Sequence, residues 1–189
     1  MKANLGPLLA ILLFLLRSLE MRFRRSPIPG KVAARGTLVA MVGAGICVLG
    51  SGLIEHALRH RPTNPGLLVA GVAAAALSFS IRALAARALG DYWSMQIELR
   101  QKQPLMETGI YGVVRHPIYL AATFEVLAIC LLCGAPWTLL VGAVTVGPAL
   151  WVRIKLEERA LVAHFGELYV KYQGRVPALV PGLGGRRPT

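Results

Sequence analysis

The chain alternates long apolar runs with short polar loops. The runs lie at Leu5 to Leu19, Gly36 to Ile54, Leu67 to Leu89, Pro117 to Cys133 and Pro136 to Trp151. A bilayer-spanning helix needs about 20 apolar residues, with about 17 tolerated. The pattern therefore predicts an all-α polytopic transmembrane protein with about five spans. Arg82 and Arg87 stand near the end of the third run, where snorkelling to the interface is the expected solution. Gly43, Gly45, Gly50 and Ala73 to Ala76 let helices approach closely in a solvent where the hydrophobic effect cannot draw them together. The first run resembles a signal peptide, but Arg17, Ser18, Leu19 and Glu20 follow in place of a small-x-small cleavage site. It is expected to remain as the first span.

The connections fix which polar residues meet. Gly134-Ala135-Pro136 is too short for anything but a tight helical hairpin, which returns the chain to the face it left. Arg115 and His116, before the hairpin, then share that face with Arg153, Glu157 and Glu158 after it. Arg153 and Glu157 are four apart and lie on one side of a helix, with Glu158 one position around. That helix is expected to leave the membrane after Trp151 and run through Tyr172, with Gly174 and Pro177 stopping it. One integral-membrane domain over 1–189 accounts for the chain. Residues 1–90 form its N-terminal helices, 91–181 carry the chemistry, and 182–189 are a flexible tail.

Composition agrees and narrows the classes. Of 189 residues, 55% are hydrophobic and 16% charged, against about 25% charged in soluble domains. The net charge of +12 raises nucleic acid as a partner, but there is no basic stripe and no aromatic stacking platform. The basic residues instead follow topology. The first loop holds Arg22, Arg24, Arg25, Lys31 and Arg35; the third holds Arg100, Lys102 and Arg115. The C-terminal segment holds Arg153, Lys155, Arg159, Lys171 and Arg175. The second loop has only Arg59 and Arg61 beside His56 and His60. The positive-inside rule then places the N-terminus outside and both polar clusters at the cytosolic face, near anionic headgroups. Cys47, Cys130 and Cys133 all lie within apolar runs. Cys130 and Cys133 form a C-x-x-C without a neighbouring His or acid, which reads as buried apolar thiols rather than a redox or metal site.

The densest chemistry is the run Gly109-Ile110-Tyr111-Gly112-Val113-Val114-Arg115-His116-Pro117-Ile118-Tyr119. Polar groups so crowded at a membrane boundary are costly unless they bind something. Each has a plainer explanation. His116 before Pro117 can cap the hairpin's entry, and Arg153 with Glu157 can be an ordinary i,i+4 pair of about 0.3–0.5 kcal/mol. Glu158 reads more readily as structural than Glu157. Tyr169 and Tyr172 read first as interface anchors. Glu125, an acid within a span, either accepts a hydrogen bond from substrate or pairs with a neighbouring helix. His56, His60 and His164 receive no role.

Taken in order, Tyr-x-x-x-Arg-His-Pro-x-Tyr at the hairpin, Arg-x-x-x-Glu-Glu after it, His-Phe-Gly-x-x-Tyr and Tyr-x-x-x-Val-Pro resemble the isoprenylcysteine carboxyl methyltransferase family. That family belongs to a wider set that includes phospholipid N-methyltransferases. The resemblance runs from about Leu89 to Pro181 and takes in Leu89-Gly90 and Trp93-Ser94. It implies S-adenosylmethionine as cofactor, in a cytosolic pocket formed by the loop before the hairpin and the helix after it. Carried over, Gln96, Gln103, Pro104, Leu105, Met106, Tyr111, His116, Pro117, Ile118, Tyr119 and Glu157 would line the cofactor. Arg153 would face the substrate, and Arg153, Glu157 and His116 would carry catalysis. The family often has histidine where Gln103 stands, and glycine where Ala121 stands.

The residues themselves agree with that chemistry. A sulfonium and an ammonium are suitably hosted by a carboxylate and aromatic faces. Methyl transfer needs an oriented nucleophile and little water, with no metal and no covalent intermediate. An arginine can orient a carboxylate bidentately. The expected acceptor is a membrane lipid or lipid-modified small molecule, with a prenylcysteine carboxylate implied by the resemblance. A lipid amine, a phenolic hydroxyl or a thiol stays open. The rival readings are a membrane NADPH-dependent sterol or enone reductase and a non-enzymatic scaffold or transporter; repeated discontinuous helices, the mark of transport, are missing.

Overall fold

The computed structural model describes residues 5–23, 31–32, 35–60, 63–94, 96–100 and 103–182. Helices α1 (Leu5–Phe23), α2 (Arg35–Arg59), α3 (Pro65–Leu89), α4 (Pro117–Cys133) and α5 (Trp137–Phe165) stand where the five apolar runs lie, and a short α6 (Glu167–Arg175) follows. Three of them are long and apolar enough to cross a membrane: Gly36–Arg59, Pro65–Tyr92 and Trp137–Phe165. Helix α4 is a shorter apolar helix of 17 residues. Helix α1 has 19 residues but carries Arg17 and Glu20 in its later turns. The fold is all-α, with one addition that periodicity did not predict: β1 (Lys31–Val32) pairs antiparallel with β2 (Glu98–Leu99). Arg24, Arg25, Arg61, Lys102 and the tail beyond Gly182 lie outside the described residues, as do the side chains of Arg22, Lys31 and Arg35.

One end of the bundle is stitched by helix termini. Gly134 takes the left-handed conformation (φ 62°), and Ala135 N–H returns to the Cys130 carbonyl at 2.9 Å. That conformation costs glycine little, which is why the turn can be so tight. The last carbonyls of α4 find partners on other helices. Thr63 Oγ1 donates to the Leu132 carbonyl at 2.9 Å, and His56 Nδ1 donates to that of Cys133 at 2.7 Å. Glu55 accepts from the Trp137 and Thr138 amides at 3.2 and 2.9 Å. A carboxylate there satisfies open N–H groups and complements the dipole of α5. His56 thus has a structural task at the end remote from the motif.

The helices pack unevenly. Helix α4 lies mainly on α3, and α5 mainly on α2. At Gly71 an added Cβ would come within 2.8 Å of the Leu132 side chain, so α3 and α4 meet where only glycine fits. At Ala121, fully buried, Ser78 Oγ donates to the backbone carbonyl at 2.8 Å.

Two expectations are corrected. Arg82 does not snorkel: it is 2% exposed and donates to Glu125 Oε2 at 2.9 Å and to Ser78 Oγ at 3.2 Å. A carboxylate on the adjoining helix neutralises it in place, which removes the reason to reach for the interface. Glu125 therefore pairs with its neighbours, Arg82 and, at 3.7 Å, Arg17. Arg87 is exposed. The helix after Trp151 does not run unbroken to Tyr172, because Gly166 adopts φ 58° and ends α5. Helix α6 then folds back and buries Tyr169 and Tyr172, each 2% exposed.

Breaking a buried ion pair from one side costs about 3–5 kcal/mol, whereas replacing both partners by apolar groups is often tolerated. Arg82→Met is expected to lower the unfolding midpoint in detergent steeply. The Arg82→Met/Glu125→Leu double variant is expected to recover most of the loss. A single variant as stable as the parent would contradict this assignment.

Candidate functional site

The segment between α3 and α4 is irregular yet braced. Arg100 Nη1 donates to the Tyr92 carbonyl at 2.6 Å and Nη2 to Glu98 at 3.3 Å. Gln103 turns its side-chain oxygen to the Arg100 amide at 3.4 Å. A short 3-10 turn, Gly109–Gly112, then delivers Tyr111. The Arg115 and His116 amides donate to the carbonyls of Pro177 and Ala178 at 2.9 and 3.0 Å. The motif thus runs beside the C-terminal segment before Pro117 opens α4.

Arg115 secures that segment. Its Nη2 and Nε donate to Glu158 Oε1 at 2.6 and 3.1 Å, and its Nη1 to the carbonyls of Gln173 (3.0 Å) and Val176. Glu158 is thereby occupied by structure, as its plainer reading held. His116 makes no side-chain cap to α4. Its ring is 4% exposed and stacks on Tyr119 with centroids 5.5 Å apart. Nδ1 lies 3.6 Å from Glu157 Oε2, and Nε2 lies 3.3 Å from Glu158 Oε1.

Tyr119 is the junction. Its hydroxyl donates to Glu157 Oε2 at 2.5 Å and accepts from Arg153 Nε at 2.9 Å. Arg153 also donates through Nη1 to Thr37 Oγ1 at 2.8 Å and lies 5.7 Å from the Tyr119 ring centroid. A tyrosine from the other helix of the hairpin thus bridges Arg153 and Glu157, which an ordinary i,i+4 pair does not require.

These groups line an open cleft with about 1210 Å³ of empty space. Gln96, Gln103, Pro104, Leu105, Met106, Tyr111, His116, Pro117, Ile118, Tyr119, Arg153 and Glu157 all lie on its wall. The structure adds Trp93 from the segment after α3, Phe165, Tyr169 and Tyr172 from α5 and α6, and Arg17 and Met41 from α1 and α2. Tyr169 and Tyr172 are wall residues, not interface anchors. The signal for this was Gly166: a break there sets two tyrosines three apart on one face of a new helix. Nothing in the sequence pointed to Arg17 or Met41.

Tyr172 donates to the Tyr111 carbonyl at 2.6 Å, whereas the Tyr169 hydroxyl is buried and makes no hydrogen bond. Burial pushes the phenols of Tyr111, Tyr169 and Tyr172 up, well above the ordinary tyrosine range. The nearby Glu157 raises Tyr111 further, and Glu158 does the same for Tyr169. All three therefore present neutral hydroxyls at physiological pH.

Comparison with known proteins agrees with the motif reading. Residues 70–163 match the model of the Isoprenylcysteine carboxyl methyltransferase (ICMT) family. Methanethiol S-methyltransferase 2 of Bradyrhizobium diazoefficiens is 36% identical over 42% of this chain and 30% of its own length. Protein-S-isoprenylcysteine O-methyltransferase of Schizosaccharomyces pombe is 35% identical over 43% of this chain and 35% of its own. The uncharacterized protein YpbQ of Bacillus subtilis is 36% identical over 48% of this chain and 55% of its own. The matches thus span from about a third to about half of those relatives.

Charge-assisted hydrogen bonds contribute about 1.5–3 kcal/mol each. Arg115→Ala removes several from the C-terminal segment, and proteolysis of a locally opened segment follows the open population. Trypsin is expected to cleave after Arg175 at least about tenfold faster in this variant. An unchanged rate would show that Arg115 does not hold the segment.

Proposed function

We propose that this chain, whose residues 70–163 belong to the isoprenylcysteine carboxyl methyltransferase family, transfers a methyl group from S-adenosylmethionine to a lipophilic acceptor. The observation that carries the reading is the bridge Arg153–Tyr119–Glu157, with His116 beside it, at the wall of one cleft.

The residues present fit the cofactor. The cleft is open to solvent and has the mixed apolar and polar lining that suits a nucleoside with an amino-acid tail. A carboxylate, Glu157, suits an ammonium, and the faces of Tyr111, His116 and Tyr119 suit a cation. The buried Tyr169 hydroxyl has a donor to give to a polar ligand atom. Gln96, Gln103, Pro104, Leu105, Met106, Pro117 and Ile118 would complete the wall. When bound, the cofactor supplies an electrophilic methyl group.

The protein's own part is binding, orientation and exclusion of water. Arg153, held by Tyr119 and Thr37, would present a fixed guanidinium to an acceptor carboxylate. Tyr119 lies between Glu157 and Arg153 and bonds to both. The apolar neighbours Leu105, Met106 and Ile118 keep water from the reacting atoms. A carboxyl O-methyl ester of a prenylcysteine-like substrate is the product this arrangement supports best. The relative named for methanethiol shows that an S-methyl acceptor occurs among similar sequences. The catalytic face is cytosolic in this reading, and residues 91–181 act as the cofactor-binding part of a single domain.

The purified protein is expected to bind S-adenosylhomocysteine with micromolar affinity, about −8 kcal/mol. Glu157→Ala and His116→Ala are expected to abolish that binding. Arg153→Ala is expected to retain it while turnover falls at least about a hundredfold. Isothermal titration and radiolabelled methyl transfer measure the two properties separately. Tight NADPH binding with none for the adenosyl ligand would replace this proposal with a reductase.

A further inference from the structure

A second cavity lies between α1, α2, α4 and α5, with about 640 Å³ of empty space. Arg17, Leu38, Met41 and Ala122 line both it and the cleft, so the two voids share a wall. Apart from Arg17 and Glu125, the second cavity is lined by apolar residues and one glycine, among them Phe14, Val48, Ile129 and Val146. The cleft thus adjoins an apolar pocket, and Arg17 lines both.

Arg17 has charge neighbours without having hydrogen bonds to them. Its Nη1 lies 3.6 Å from Glu20 and its Nε 3.7 Å from Glu125, beyond the usual hydrogen-bond distance. Glu125 is already held by Arg82 at 2.9 Å. Arg17 Nη1 is buried and makes no hydrogen bond. A buried donor left unmade costs about 1–3 kcal/mol, and an arriving anionic oxygen would remove that cost.

We propose that Arg17 joins Arg153, on the same cleft wall, in binding the carboxylate head of an amphiphilic acceptor whose apolar tail fills the second cavity, and so sets which acceptor this enzyme takes. The inference rests on the reading of the cleft as a methyl-transfer site. It places acceptor choice on α1, outside the family match at 70–163. On transfer, the carboxylate oxygen takes the methyl group, the carbon–sulfur bond breaks with its electron pair left on sulfur, and no proton moves. The product ester has lost the charge that Arg17 holds. Arg17 therefore favours acid over ester, which promotes product release.

Binding without turnover tests this. The full chain in detergent is titrated with N-acetyl-S-farnesylcysteine, with its methyl ester, and with S-adenosylhomocysteine. The parent is expected to prefer acid over ester by at least about tenfold, or about 1.4 kcal/mol. Arg17→Gln is expected to lower that ratio at least about threefold, through weaker acid binding alone, with S-adenosylhomocysteine affinity kept. Met41→Trp, which fills the shared wall, is expected to weaken both farnesyl compounds and spare N-acetyl-S-ethylcysteine.

An acid-to-ester ratio unchanged in Arg17→Gln overturns the proposal, as does farnesyl phosphate binding where the carboxylate does not. If Arg17→Gln also loses S-adenosylhomocysteine, Met41→Trp decides, and unchanged farnesyl-acid affinity there overturns the proposal. Methyl transfer by the parent with an Arg17-independent ratio would sink this inference alone. An Arg17-dependent acid preference without any methyl transfer supports it while sinking the methyltransferase reading.

Discussion

The hydroxyl of Tyr119 can join Arg153 to Glu157 only because the chain reverses at Gly134 and brings α5 back along the face that α4 left. The reversal is held by groups far from the site. Thr63 and His56 take the last carbonyls of α4, and Glu55 takes the first amides of α5. A helix end in an apolar medium must satisfy its backbone somewhere. Here the end of α2, the loop before α3, the end of α4 and the start of α5 satisfy one another, which anchors the remote end. Helices α4 and α5 then lean on different partners, α3 and α2, and the room between them toward the other end becomes the cleft.

That other end is rich in charge, and the charges are arranged in pairs. Arg82 with Glu125, Arg115 with Glu158, and the Tyr119-bridged Arg153 and Glu157 each combine residues from different stretches of chain. The first two pairs fix helices and the C-terminal segment. The third is separated by a neutral hydroxyl, which leaves a cation and an anion side by side without joining them directly. Binding sites for ions are costly to keep open in a low-dielectric setting, and an interposed tyrosine is an inexpensive way of doing so.

Much of this was legible in the sequence because hydropathy and turn chemistry act locally. The apolar runs located the five long helices, Gly134-Ala135-Pro136 gave the hairpin, and the hairpin brought Arg115 and His116 beside Arg153 and Glu157. What escaped depended on partners distant in the chain. Arg82 looked like a snorkelling residue until Glu125 was seen beside it, and that pairing has no signature at a separation of 43 residues. The β1–β2 ribbon is too short to produce a periodic pattern. Gly166 was visible, but as part of a motif rather than as a helix break, so the inward turn of Tyr169 and Tyr172 went unread. Arg17 gave no sign because its position at the boundary of two cavities is a property of packing alone.

The central claim is that two stretches separated by a membrane hairpin enclose one adenosyl ligand. Ultraviolet cross-linking of radiolabelled S-adenosylmethionine to the purified chain, followed by peptide mapping, tests it most directly. The account predicts label on peptides from both 96–119 and 153–172, and its loss on competition with S-adenosylhomocysteine. Label confined to the remote end, around 55–65 or 134–138, or labelling that the competitor does not reduce, would contradict it.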